Sequence, residues 1–231
     1  MPIVGGLQPP SAEDEEQEKL ESREGIVVVL EQATLEVGKV GKSMVLLNCD
    51  DHANFLARHD KSPADYRPDI CHQALMSILD SPLNKAGRIS AIYVHTQKNV
   101  LFEVSPQVRL PRTFRRFCGL MAQLLQKLSI RSSNGPDKLL RVVKGPVTRL
   151  LPADCKRIGF SAHADRTLSP TALAKEFPRG EKTVLVVGAM AHGSIDVTYT
   201  DETLCVSNYP LSAACALARL LGAVEAEWGV V

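Results

Sequence analysis

No stretch of these 231 residues stays apolar long enough to cross a bilayer; the longest runs, residues 26–30 and 183–190, are less than half the required length. No apolar h-region stands near the N-terminus, where the first charges are acidic, so no secretory signal peptide is expected. The six cysteines (Cys49, Cys71, Cys118, Cys155, Cys205, Cys215) show no CxxC spacing. They read as buried reduced thiols of a cytosolic or nuclear protein, and no metal site is expected from them. A phosphate-binding P-loop, a GxGxxG dinucleotide fingerprint and a GxSxG nucleophile elbow are all missing, which argues against nucleotide hydrolysis, hydride transfer and triad chemistry. Internal repeats are absent too. What remains, 45% apolar and 23% charged residues, is the composition of a soluble globular chain.

The formal net charge of +1 conceals a segregation. Residues 1–24 hold seven acidic and two basic side chains and no aromatic residue. Such a segment cannot bury enough apolar surface to offset its ordering entropy, so it reads as a disordered acidic tail ahead of one domain over 25–231. Residues 85–150 hold thirteen basic and two acidic side chains, a net of +11. That cluster is the footprint of a polyanion-binding face, with a set of solvated basic helix faces as the plainer alternative.

Buried strands are predicted at 26–30, 43–48, 89–95, 100–104, 139–143, 157–161 and 183–187, with a further pair around Val197 and Val206. Helical spacing marks 69–79 and 113–130, where Phe117, Leu120, Met121, Leu124, Leu125 and Leu128 form one face. The last segment, 211–228, is apolar or small almost all round and is expected to be buried in the domain or against another subunit. Strands alternating with helices predict an α/β sandwich with a largely parallel sheet.

Four segments carry the chemistry. Gly188 and Gly193 frame a loop directly after a buried strand, where ligands of open α/β sheets sit; a tight turn explains them equally well. Residues 206–211, VSNYPL, run from a strand end towards a helix, and capping by Ser207 or Asn208 with Pro210 in the first turn accounts for them structurally. Arg109, Arg112, Arg115 and Arg116 surround Phe114 and Phe117, combining guanidinium forks with rings. The rings are the better candidates for core positions. Arg67 and Asp69 flank a proline closely enough for the carboxylate to orient the guanidinium, while Asp69 alone also suits a helix start.

Together and in this order, RPDICHQALMSILDSPLNKAG (67–87), VRLPRTFRRFCGLMAQLLQKLSIRS (108–132), VVGAMAHG (186–193) and VSNYPLSAA (206–214) resemble the SPOUT-class pseudouridine-N1 methyltransferases of small-subunit ribosomal RNA. The resemblance covers about 26–231 and is closer to the eukaryotic branch. It implies a mostly parallel sheet with helices on both faces, a C-terminal trefoil knot and a homodimer. It also implies an S-adenosylmethionine pocket lined by Phe160, Gly188, Gly193, Val206, Ser207, Asn208, Tyr209, Pro210 and Leu211. Arg67, Arg109, Arg112 and Arg116 fall on RNA-contacting positions. Asp69 falls on the acid that steadies Arg67, and it is the one candidate for a base that accepts the acceptor's proton. Small-subunit rRNA, pre-ribosomal assembly factors and a nuclear, nucleolar setting follow from the same resemblance. The competing expectation is an RNA-binding assembly factor in which methyl transfer is secondary or lost.

Overall fold

The computed structural model describes residues 25–132, 135, 137–177 and 179–231; the expected acidic tail lies outside them. In chain order the elements are β1 (Ile26–Ala33), β2 (Val37–Val40), β3 (Ser43–Leu46), α1 (Cys49–Ala57), α2 (Pro68–Asp80), α3 (Pro82–Lys85), β4 (Ile89–Thr96) and β5 (Leu101–Val104). They continue with α4 (Phe114–Lys127), β6 (Ser129–Arg131), β7 (Lys138–Val143), β8 (Lys156–Phe160), α5 (Pro170–Ala174), β9 (Thr183–Gly188), β10 (Glu202–Leu204) and α6 (Ala213–Trp228).

β1 is apolar on both faces and is therefore central, with parallel partners β4 and β9 on either side. The main sheet runs β10-β8-β9-β1-β4-β5-β7-β6, parallel from β10 to β4 and antiparallel beyond. Ile26, Val28 and Leu30 point into the larger core, which α2, α4, α5 and α6 cover. Val27 and Val29 point the other way, where Val147 of a 3₁₀ turn, Leu151 and the half-buried Ile195, Val197 and Tyr199 pack instead.

α2 and α6 each have a local reason to start where they do. α2 has Pro68 at its first position and Asp69 in its first turn, and buries Cys71, Ala74, Leu75, Ile78 and Leu79 at helical spacing. α4 buries Phe117, Met121, Ala122 and Leu124, and ends as Leu128 turns left-handed at φ +63°. The 113–130 expectation overran here because Ser129–Arg131 leaves the helix to pair with β7 as an edge strand. α6 is capped by Ser212, whose Oγ accepts the Cys215 N–H at 3.2 Å.

β10 crosses a loop rather than merely joining an edge. Ser161 N–H donates to Leu204 O at 3.0 Å, Cys205 N–H donates to Arg166 O at 2.8 Å, and Leu168 N–H donates to Cys205 O at 2.9 Å. Residues 204–205 therefore lie between the two limbs of the 161–168 loop, the threading that a C-terminal knot requires. General rules of chain connection disfavour it. Four alternating charges brace the crossing: Lys156 reaches Glu176 at 2.9 Å and Glu202 at 2.8 Å, and Arg166 reaches Glu202 at 2.8 Å and Glu176 at 3.3 Å.

Two strand expectations fail for physical reasons. β3 joins only β2, in a separate hairpin, with Ser43 and Met44 exposed and Leu46 alone fully buried. Around Val197 there is no strand: Ile195, Val197 and Tyr199 alternate as a strand does, but they lay that stripe across the second sheet face instead of entering the ladder.

Candidate active site

β8 and β9 are neighbours, but the connection from β9 carries the chain back past β8 to β10. Such a reversal leaves a crevice outside the carboxyl ends of the strands. A cavity of about 440 Å³ opens there, of the size that takes a cofactor or small ligand. Its wall is drawn from the ends of β8 and β9, the 189–195 loop, residues 204–212, the first turn of α6 and one side of α2.

Phe160, Gly188, Gly193, Val206, Ser207, Tyr209, Pro210 and Leu211, which the sequence singles out, all line this cavity. Asn208, expected with them, does not, and it is exposed. The helix-cap reading of Ser207, Asn208 and Pro210 is corrected as well, because α6 starts only after Ser212. Ser207 Oγ instead accepts the Tyr209 N–H at 3.0 Å and shapes the loop.

The two glycines differ in what they do. A Cβ on Gly188 would stand 2.6 Å from Met190 Sδ and 3.2 Å from Ile195 Cγ2, so the missing side chain makes room for two cavity-lining residues rather than for a ligand. Gly193 has open space around it but holds φ +91°, a conformation that L side chains rarely adopt. The Tyr209 amide apart, the backbone N–H groups of 190–195 and of 206, 207, 208 and 211 form no hydrogen bond with another described residue. Both cavity-lining loops thus carry backbone donors with no partner among the described residues.

Sequence reasoning missed Ser161, His163, Met190, Ile195 and Leu204 in the wall, and Ile70 and Gln73 on α2. Only the fold brings α2 to this site. Ala213 and Ala214 also line it, so the positive end of the α6 dipole faces the cavity.

Arg67 lines the cavity, and Asp69 holds it as expected: Nε donates to Oδ1 at 2.9 Å and Nη2 to Oδ2 at 2.7 Å. With both carboxylate oxygens engaged, and Asp69 outside the wall, its reading as a proton acceptor is corrected to that of an orienting residue. Among the described residues no carboxylate lines the cavity.

Arg109, Arg112 and Arg116 lie outside the cavity, exposed, with Arg115 beside them. Their segment is fastened to α2 twice. His72, stacked on Phe117 at 4.4 Å between ring centroids, donates from Nε2 to Pro111 O at 2.9 Å. Arg112 grips Asp80 through Nη1 at 2.5 Å and Nη2 at 3.0 Å. Phe117 is buried and Phe114 half-buried against it, so these rings serve the core and leave base stacking to other groups.

A parallel sheet whose threaded carboxyl-end loops enclose a ligand-sized cavity is the architecture of a SPOUT-class methyltransferase. The comparisons with known proteins agree. A crystal structure described as Archaeoglobus fulgidus Nep1 bound to S-adenosylhomocysteine matches with a TM-score of 0.65 at 21% identity, covering 89% of this chain and 99% of that one. The family profile described as EMG1/NEP1 methyltransferase matches residues 28–225, and the chain belongs to that family. It is 50% identical over 206 residues to the mouse and human proteins named ribosomal RNA small subunit methyltransferase NEP1, over 89% of this chain and 83% of theirs. The similarly named nep-1 protein of Caenorhabditis elegans is 47% identical, over 92% and 91%.

Proposed function

We propose that this protein transfers the methyl group of S-adenosylmethionine to N1 of a pseudouridine in small-subunit ribosomal RNA. It would act as a homodimer in the nucleus and nucleolus, among pre-ribosomal assembly factors. The observation that carries this reading is the cavity itself: two loops with free backbone donors face each other at the knot, in a chain from a methyltransferase family. A protein that only binds RNA needs no such pocket.

The residues present fit the cofactor. Unpaired amides of 190–195 and of 206, 207 and 211 suit the hydrogen-bonding edges of an adenosine, Phe160, Leu204 and Leu211 supply apolar walls, and the α6 N-terminus suits a carboxylate. When bound, S-adenosylmethionine would supply a sulfonium methyl for in-line displacement, sulfur keeping the S–C electron pair as the methyl passes to N1 and the N1 proton passes to solvent water. The protein's part is alignment of the acceptor. Arg67, fixed by Asp69, faces the cavity with a guanidinium edge still free, placed to hold a phosphate beside an extruded base. Arg109, Arg115 and Arg116 extend that positive surface outwards. The exposed side of α6, with Cys215, Ala218, Arg219, Gly222 and Ala226, is the face proposed for the dimer.

Calorimetric titration with S-adenosylhomocysteine tests the reading. Saturable binding at one site per chain is expected. Absence of binding at millimolar ligand would favour the assembly-factor alternative.

A further inference from the structure

One wall of the cavity is built by a helix outside the knot loops. Arg67, Ile70 and Gln73 follow one another at three-residue spacing, so they form a single stripe along α2 and its N-cap, opposite the knot loops. Gln73 is exposed, and its carboxamide makes no hydrogen bond with another described residue. At the rim stands Tyr209, whose residue is 77% exposed; it is the one aromatic among the exposed large hydrophobic side chains of the described residues. An uncovered ring, an apolar Ile70, an unpaired amide and a cation around one cavity are the groups that receive a planar heterocycle with a phosphate attached.

We infer that this stripe and the Tyr209 ring form the seat of the acceptor base, with Gln73 as the residue that orients it. The inference rests on the methyl-transfer reading above. A carboxamide offers one acceptor and two donors side by side. Its oxygen accepts the N3–H of a uracil-type base while its NH2 donates to the C4 carbonyl, a two-point contact of the kind amide side chains make with base edges. In pseudouridine the sugar is carried on C5, which leaves N1–H across the ring from C4. A base held by its N3–C4 edge against α2 therefore turns N1 towards the knot loops. In uridine N1 carries the sugar, so the same grip presents no N–H. The two-point contact thus sets the orientation of the base, and the N1–H sets its identity. Tyr209 supplies the stacking face for the extruded ring.

The experiment is a pairing of enzyme and substrate changes, read by single-turnover methyl transfer to a short RNA with one pseudouridine. Gln73→Ala is expected to lower the rate ten- to hundred-fold, while RNA affinity stays within about twofold and S-adenosylhomocysteine affinity is unchanged. An RNA carrying 3-methylpseudouridine lacks the N3–H, so it should slow the wild-type protein strongly and Gln73→Ala little further; a purely structural role for Gln73 would not produce that coupling. Tyr209→Ala should weaken RNA binding about tenfold, with Tyr209→Phe close to wild type. If the wild-type protein transfers no methyl group to the pseudouridine RNA, the function reading falls and takes this one with it. A Gln73→Ala protein as fast as wild type overturns the base seat alone. Loss of S-adenosylhomocysteine binding in Gln73→Ala would also overturn it, by assigning Gln73 to the cofactor wall.

Discussion

At the scale of single residues, the site depends on backbone shape as much as on side chains. Gly193 holds φ +91° in the middle of the knot loop. Gly193→Val should cost about 1–2 kcal/mol of stability, because a β-branched side chain opposes that conformation. It should also weaken S-adenosylhomocysteine binding at least tenfold in the same titration, and unchanged affinity would place the pocket elsewhere. The loop's far end is moored by Glu31, 2% exposed, which accepts from Tyr199 Oη at 2.6 Å and from His95 Nδ1 at 2.8 Å. Burial pulls the His95 imidazole down, but its hydrogen bonds to Asn99 and Glu31 outweigh that and hold it above its ordinary value. A raised folded value means that the stabilisation is complete below the unfolded value of about 6.5 and fades as the pH climbs through the folded one. The melting-temperature advantage of wild type over His95→Gln should therefore be larger at pH 5.5 than at pH 9. A gap that stays flat with pH would show that His95 does not titrate against Glu31. None of this mooring was legible in the sequence, because Glu31, His95 and Tyr199 meet only through strand register and a loop laid over the sheet.

At the scale of elements, hydrophobic period gave the helices and the central strands within a few residues, since burial of one face decides both. It misled at Val197, where alternation reflects packing across a sheet rather than pairing within one. It also misled at β3, where a short apolar run belongs to a hairpin. The basic segment was legible as charge, but not its partial neutralisation: Arg141 pairs with Glu103 at 2.6 Å and Arg112 with Asp80. If the exposed arginines hold phosphates, Arg109→Ala and Arg116→Ala should each weaken RNA binding and reduce the slope of log affinity against log salt by about 0.7–0.9. Lys138→Ala, in the same basic stretch, should cost much less. Asp80→Ala, by freeing Arg112, should steepen the salt dependence, and a loss equal at all these sites would mean a diffuse field with no cradle. For α6, only one side is buried within the chain, at Leu217, Leu220, Leu221, Val224 and Trp228. Light scattering at low micromolar concentration should return about twice the 25.2 kDa chain mass. A clean monomer would contradict the interface proposed on the other side.

At the scale of the molecule, periodicity and composition reached an α/β sheet and no further. The threading of 204–205 through the 161–168 loop has no signature in any local pattern, because it consists of contacts between segments some forty residues apart. What pointed to it was the resemblance carried by long strings such as PRTFRRF and SNYPLSA, whose length makes a chance match improbable. The same architecture brings two parts of the chain to one cavity: the knot builds one wall, and α2, fastened to the basic segment through His72 and Arg112, builds the other. The most direct test of this account is incubation of the full chain with S-adenosylmethionine carrying an isotopically labelled methyl group and small-subunit rRNA containing pseudouridine, followed by nucleoside mass spectrometry. The account predicts label in N1-methylpseudouridine, abolished by Gly193→Val and absent from RNA in which uridine replaces the pseudouridine. RNA that is bound tightly but stays unlabelled, or label found on a different base, would contradict it.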